Sequence, residues 1–169
     1  YWWNTQTGEK IKTQGGHGVA VHELVFSADG KRLVSAGGDR TVRTWDGNTG
    51  APLKTISVGS SVYAVSLHPN GKQIASGSFD GLVKLWDEST GRLQATLLAV
   101  AGENDQLEWL ALSPEGYAAA SDGYQKLARW SVGKTAVSSD PVWQTLARPA
   151  ELAKALRGET VTELKVLKK

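Results

Sequence analysis

Three residue types able to carry hydrolytic chemistry stand close together near the start of the chain: His17, Ser35 and Asp39, with Trp45 just beyond. A serine activated by a histidine that a carboxylate orients is the arrangement of nucleophilic acyl transfer. That chemistry needs the hydroxyl exposed beside donors for an oxyanion. Ser35 lies in the middle of a short β-type run, a poor place for either. Forty-one residues on, Ser76, Asp80 and Trp86 recur at the same spacing with no histidine. A set that repeats with one member missing suits a stabilising device better than a single active centre.

Metal and phosphate chemistry have less support still. His17, His22 and His68 are the only histidines, and no pair has the spacing of a zinc-binding H-E-x-x-H helix. Asp29-Gly30 lacks the alternating acids of a calcium loop. The glycines form neither GxGxxG nor a P-loop. The absence of cysteine excludes disulfides, thiolate chemistry and cysteine-held zinc. No metal and no cofactor is expected.

The elements that must position these residues are written most clearly from Gly71 to Asp87, GKQIASGSFDGLVKLWD. Gln73 to Gly77 is a short β-type run, Ser78-Phe79-Asp80-Gly81 has turn chemistry, and Leu82 to Trp86 alternates apolar and polar. Asp-Gly between two such runs is a hairpin signal, because glycine supplies the positive φ of the turn. The same words stand one period earlier as GKRLVSAGGDRTVRTWD, Gly30 to Asp46. Gly71, Asp80 and Trp86 each follow Gly30, Asp39 and Trp45 by 41 residues. A fixed offset held by three residue types is a repeat.

On these residues the chain resembles the WD-repeat family of β-propellers, whose period and closing Trp-Asp pair match Trp45-Asp46 and Trp86-Asp87. The family's opening Gly-His stands at Gly16-His17, and the run from Gly16 through Asp46 follows the pattern without a gap. The resemblance implies an all-β fold of about three four-stranded blades in an incomplete ring, with a short C-terminal helical tail. It also implies an internal network in which tryptophan donates to serine, serine to histidine, and histidine to the turn aspartate. His17, Ser35, Asp39 and Trp45 take those places in copy one, and Ser76, Asp80 and Trp86 in copy two. Family members commonly bind partners near the start of the innermost strand and just before the turn aspartate. Carried over, those positions are His22, Tyr63 and Glu108, then Gly38 and Phe79. Phe79 is an aromatic in a turn that elsewhere holds glycine.

In chain order, Tyr1-Trp2-Trp3-Asn4 reads as the end of a third strand, with Trp3 at the repeat tryptophan and Asn4 at the aspartate position. Tyr1 follows no methionine or leader, so the natural amino terminus is expected upstream. Thr7-Gly8, Thr49-Gly50 and Thr90-Gly91 mark bends into outer strands, the first of which runs over Glu9 to Gln14. The innermost strands carry Val21, Leu24 and Phe26 in copy one and Val62, Val65 and Leu67 in copy two. Copy three is worn: Leu107, Leu110 and Leu112 precede the Ser113-Pro114-Glu115-Gly116 turn, a strand over Tyr117 to Ser121, then Asp122-Gly123. Trp130-Ser131 closes it 44 residues after Trp86, and the residue six before Trp130 is Tyr124 and not Asp122, so either the loop is two residues longer or the acid's usual role is lost. Val21, Val62 and Leu107 are expected in the core. Pro141 to Leu146 is read as a last outer strand. Pro149 to Leu156 is read as a helix opened by proline and closed by Gly158, with Leu152, Ala153 and Leu156 as its apolar face. Thr160 to Lys169 is open between helix and strand. The expected division is 1–14 (an outer strand of a preceding or shared blade), 15–147 (three blades) and 148–169 (the tail). This ending is similar to those of some bacterial multidomain WD-repeat proteins.

Composition bounds the function. Of 169 residues 40% are hydrophobic and 21% charged, ordinary globular material. A net charge of +2 gives no footprint for nucleic acid or an anionic membrane. The Lys168-Lys169 pair reads as a solvated end. No stretch approaches the ~18 apolar residues of a span, and a cytoplasmic setting is expected. Propellers close with about four to eight blades, so three copies must be completed by the rest of a propeller, in the same or another chain. The leading reading is a non-catalytic protein-interaction scaffold or sensor platform with protein partners. The rivals are an enzyme or small-molecule-binding propeller using the central channel, with His22 and Glu108 at its mouth, and a purely structural oligomer subunit.

Overall fold

In a computed structural model the described residues are 1–132, 134–162 and 164. Strand β1 (Trp2–Trp3) pairs antiparallel with β2 (Lys10–Lys12). The first full blade is an antiparallel meander of β3 (Val21–Phe26), β4 (Arg32–Gly37), β5 (Thr41–Asp46) and β6 (Pro52–Ser57), in that spatial order. The second repeats it with β7 (Val62–Leu67), β8 (Gln73–Ser78), β9 (Leu82–Asp87) and β10 (Leu93–Ala101).

One acid fixes the bend from third to fourth strand in each blade. Asp46 Oδ1 accepts from the Asn48 and Thr49 amides at 3.0 and 2.7 Å and from the Thr49 hydroxyl at 2.8 Å. Asp87 does the same for Thr90, and Gly50 and Gly91 complete the turns at φ +66° and +73°. Asn4 accepts from the Gln6 and Thr7 amides at 2.8 and 3.1 Å before Gly8, so it performs the aspartate's task in the β1–β2 hairpin. The side-chain oxygen mimics a backbone turn acceptor.

The core lies between the two blades. Val34, Ala36, Val42, Ile56 and Val58 of the first meet Val62, Val65, Ile74 and Trp86 of the second in one buried cluster. Each valine or isoleucine there contributes about 1.5–3 kcal/mol on burial. On the first blade the outward side of β3 is uncovered, so Val21, expected in the core, is exposed together with Leu24 and Phe26, and Leu107, also expected in the core, is exposed on β11. Of the three positions aligned with Val21, only Val62 fills a core site.

The third copy does not form a separate four-stranded blade. Strand β11 (Leu107–Leu112) pairs with β10 along its whole length, and β12 (Ala118–Ala120) follows, giving a six-stranded sheet. Strand β10, LQATLLAVA, is long and apolar, and its open edge offers backbone groups that β11 satisfies. Past Ser121 the chain turns into helix α1 (Asp122–Leu127) where a hairpin was expected. Tyr124 to Arg129, YQKLAR, consists largely of helix formers without strand alternation. Trp130 and Ser131 lie in β13 (Trp130–Val132), which pairs only with β14 (Thr135–Val137) among the described residues.

The expected outer strand over Pro141 to Leu146 is helix α2 (Ser139–Leu146). Asp140 and Pro141 in its first turn are helix-start chemistry. Helix α3 (Pro149–Leu156) occupies the expected span, though its buried residues are Leu152 and Ala155 rather than Ala153. Helices α1 and α2 pack Tyr124, Trp143 and Leu146 on one side of β11–β12, around Leu110 and Ala118. Helix α3 packs Leu152 and Leu156 on the other, around Ala111 and Tyr117. The tail is tied down where Tyr117 donates its hydroxyl proton to the Thr162 carbonyl (2.6 Å). The rest of the expected tail element, and Lys168-Lys169, lie outside the described residues.

Candidate functional site

In the first blade His17, from the loop before β3, reaches both partners its type can serve. Its Nδ1 lies 2.8 Å from Asp39 Oδ1 and its Nε2 2.7 Å from Ser35 Oγ. The Trp45 indole donates to the same Ser35 Oγ at 2.9 Å. Indole is only a donor and an ionised carboxylate only an acceptor. The proton order is therefore fixed: Trp45 to Ser35, Ser35 to His17 Nε2, His17 Nδ1 to Asp39.

Two glycines make room for this line, Gly16 of the opening Gly-His pair and Gly37. A Cβ on Gly37 would fall 2.1 Å from His17 Nδ1, and one on Gly16 would fall 2.5 Å from the Trp45 ring. The paired glycines Gly15-Gly16 and Gly37-Gly38 were the available signal. Asp39 also accepts from the Thr41 hydroxyl (2.7 Å), the Thr41 amide (3.2 Å) and Arg43 (3.2 Å). Burial acts to raise its carboxyl. The hydrogen bonds from Thr41 and His17 outweigh that and hold it well below the usual carboxylate range.

The second blade solves the same problem without histidine. Trp86 donates to Ser76 Oγ at 2.8 Å. Asp80 is not linked to that pair. It accepts from Ser78 Oγ (2.7 Å) and the Leu82 amide (3.2 Å). Ser78 occupies the position of Gly37 one period on, so a hydroxyl there supplies the donor that histidine supplies in the first blade. Burial again acts upward on Asp80, and the Ser78 hydrogen bond helps bring the net shift below the usual range.

The first-blade line has the connectivity of a hydrolytic triad and none of its access. Ser35 is 2% exposed in the middle of β4, and its oxygen already accepts a proton from Trp45. No substrate carbonyl can approach it, so the arrangement ties strands together and presents no nucleophile.

The surface candidates divide differently. His22 from β3, Tyr63 from β7 and Phe79 from the β8–β9 turn come together as a ladder of rings. His22 and Tyr63 have centroids 4.7 Å apart at 43°, and Tyr63 and Phe79 are 6.3 Å apart at 56°. The loops that carry them are bonded to each other: Ser61 donates to the Gly38 carbonyl (3.2 Å), and the Phe79 amide donates to the Ser61 carbonyl (2.9 Å). Phe79 remains 76% exposed and Tyr63 51%. Gly38 stands at the ladder's end, where a Cβ would come 3.2 Å from His22 Nε2.

Glu108 does not join them. It is 9% exposed and turned inward at the start of α1, accepting from the Tyr124 amide (3.1 Å) and from the Ser121 hydroxyl. The helix that replaced the third hairpin leaves amides near the carboxylate, and the charge stabilises that end. With Glu108 withdrawn, the pairing of His22 with Glu108 expected at a channel mouth does not form. Among the described residues no group of three or more His, Cys, Asp or Glu is placed to hold a metal, and no helix is long and apolar enough to cross a membrane.

Comparison with known proteins bears on the same two blades. The family model described as WD domain, G-beta repeat matches residues 8–46 and 50–87. The chain is 33% identical over 70 residues to the periodic tryptophan protein 2 homolog of Schizosaccharomyces pombe, covering 41% of this chain and 8% of that protein. It is 40% identical over 55 residues to eukaryotic translation initiation factor 3 subunit I of Caenorhabditis briggsae, 32% of this chain and 17% of the other. It is 37% identical over 60 residues to WD repeat-containing protein 1 of Bos taurus, 34% and 10% respectively. The matched segments thus span less than a fifth of each of these relatives. The two matched repeats are folded as four-stranded blades with the tryptophan–serine bond in both, so over residues 8–46 and 50–87 this chain carries WD repeats.

Proposed function

We propose that the chain is a non-catalytic protein-interaction platform whose contact surface is the ring ladder of His22, Tyr63 and Phe79. The observation that supports this is the contrast between the two constellations. The one with catalytic residue types is buried and saturated, while the aromatic one is contiguous and open. WD-repeat proteins act in general as interaction scaffolds, and the translation initiation factor relative is by its name a subunit of an assembly. Tyrosine and phenylalanine offer large contact area with few rotors to immobilise, which is why aromatics concentrate binding energy at interfaces. We assign this role to a cytoplasmic setting with protein partners. A channel-mouth enzyme or small-molecule site has less support, because Glu108 is spent inside the fold.

The test begins with a displayed peptide library panned against the full chain. Binders are then measured against Tyr63→Ala, Phe79→Ala and the exposed controls Lys31→Ala and Lys72→Ala. Each rim variant is expected to weaken binding about tenfold or more with its melting temperature unchanged. If the lysine variants weaken binding and the rim variants do not, the contact surface is elsewhere.

A further inference from the structure

The outer strand of the second blade outruns the blade. Strand β10 has nine residues where β6 of the first blade has six. Its pairing with β9 ends at Leu98 opposite Leu82, whereas its pairing with β11 continues through Ala99 opposite Trp109 and Ala101 opposite Leu107. Beyond the blade the two strands form a ribbon of their own. Side chains alternate along each strand, so the ribbon has two distinct faces. One is packed: Leu98 and Leu110 join the cluster of α1 and α2, and Glu108 accepts from Ser121 and Tyr124. The other is bare at its tip, where Ala99 and Ala101 are exposed, Leu107 is 70% exposed and Trp109 44%.

Two observations say what would cover it. At the next pair along the same face, Leu97 opposite Ala111, the ribbon is already covered by a helix. Helix α3 lays Leu152 and Leu156, one turn apart on one side, against that pair. The fold itself therefore satisfies this face with an amphipathic helix. The second observation is charge. The turn that closes the ribbon carries Glu103 and Asp105 and no basic residue, and both acids are exposed. Neither is in an ion pair among the described residues. An apolar strip ended by two unpaired carboxylates complements a segment that is apolar on one side and positive beside it. The same carboxylates repel an anionic lipid surface.

We propose that the tip of the β10–β11 ribbon is a docking site for a basic amphipathic helix of a partner protein. Two apolar side chains of the helix, one turn apart, lie on Trp109 and Leu107 as Leu152 and Leu156 lie on Leu97 and Ala111. Lysine or arginine beside them meets Glu103 and Asp105. The site rests on the ribbon alone and stands independently of the ring ladder.

The probe is a designed, fluorescently labelled peptide of about 15 residues, long enough to hold a helix, with leucines on one side and lysines on the other. It is titrated against the full chain by fluorescence anisotropy, beside a scrambled peptide of the same composition. The amphipathic peptide is expected to bind, and Trp109→Ser and Leu107→Ser each to weaken it about tenfold or more. Leu107 is the more exposed of the two, so circular dichroism of Leu107→Ser is expected to match the parent chain. Glu103→Gln combined with Asp105→Asn should weaken binding and flatten its dependence on salt. Asparagine tolerates the φ of +60° that Asp105 holds. Leu53→Asp, at an exposed apolar residue of β6, should leave binding unchanged. No binding, equal binding of the scrambled peptide, or binding unaffected by Leu107→Ser overturns the proposal. So does an unaltered salt dependence in the neutralised variant. Sedimentation showing a dimer of the unmodified chain that Leu107→Ser dissociates would overturn it by making a second copy the occupant. Flotation with phosphatidylserine vesicles that Leu107→Ser abolishes would overturn it in favour of a lipid surface.

Discussion

Replacing His17 by alanine in the first blade, and then giving that blade the second blade's solution, separates the histidine's role from its mere presence. His17→Ala removes two hydrogen bonds. Ser35, almost fully buried, keeps the Trp45 donor but loses the acceptor for its own proton, which costs about 1–3 kcal/mol. Asp39 keeps two donors from Thr41 and one from Arg43, so its loss adds less. A total near 2–3 kcal/mol follows, or roughly 2–4 °C of melting temperature for each kcal/mol at this chain length. Gly37→Ser alone should cost as much, because its Cβ would fall 2.1 Å from the imidazole and displace it. In the double variant the ring is gone, and the serine stands where Ser78 stands in the second blade, 2.7 Å from the equivalent carboxylate. It should recover about 1 kcal/mol relative to His17→Ala, one ordinary hydrogen bond. The two changes then fall short of additivity by about 3–4 kcal/mol. Urea unfolding followed by tryptophan fluorescence and circular dichroism measures all four proteins. Additivity within about 0.5 kcal/mol would falsify the claim that His17 and Ser78 are alternative donors to one turn carboxylate.

Acid should destabilise the chain through its turn aspartates. Asp39 and Asp80 are held low against the upward pull of burial, Asp46 by Thr49 and Asp87 chiefly by Ser89. A folded value depressed below the ordinary 3.8 contributes stability that is complete above about pH 4 and is lost as pH falls through the folded values. Urea midpoints should drop between pH 4 and pH 2, and a rise over that interval would sink the assignment. Arg40 holds φ +66° in the turn where the second blade has Gly81 at +78°. Arg40→Gly should therefore stabilise by about 0.5–1 kcal/mol, the left-handed cost relieved less the added chain entropy, and a measured loss of stability would count against it. Glu108→Ala should cost about 1–3 kcal/mol by stripping the Tyr124 amide and Ser121 hydroxyl of their acceptor. The same variant should leave rim binding intact, and a binding defect at unchanged stability would return Glu108 to the contact surface.

The second and third strands of both complete blades, their turns and the proline-opened helix were legible in the residues. Each is decided locally: alternation selects the strand, Thr-Gly and Asp-Gly select the bends, and Pro149 with Gly158 brackets the helix. The period did more, since equal spacing placed Asn4 in an aspartate's task that its amide oxygen performs. The bond from Trp45 to Ser35 and from Trp86 to Ser76 was implied by the family resemblance, and the structure sets those partners diagonally across neighbouring strands of one hairpin.

What only the tertiary structure decided depends on which surfaces meet. Glu108 carries the right offset for the rim, yet helix-forming residues from Tyr124 onward brought amides to it and drew it inside. Val21 and Val62 are one residue type at one repeat position, and burial distinguishes them because the first blade covers β7 of the second while no blade among the described residues covers β3. The joining of β11 to β10 was likewise invisible, since an open apolar edge accepts whichever strand reaches it. Sequence pattern specifies which face of a strand is apolar. Whether that face finds a neighbour is a property of the packed whole, where free energy comes from area removed from water and not from the residue alone.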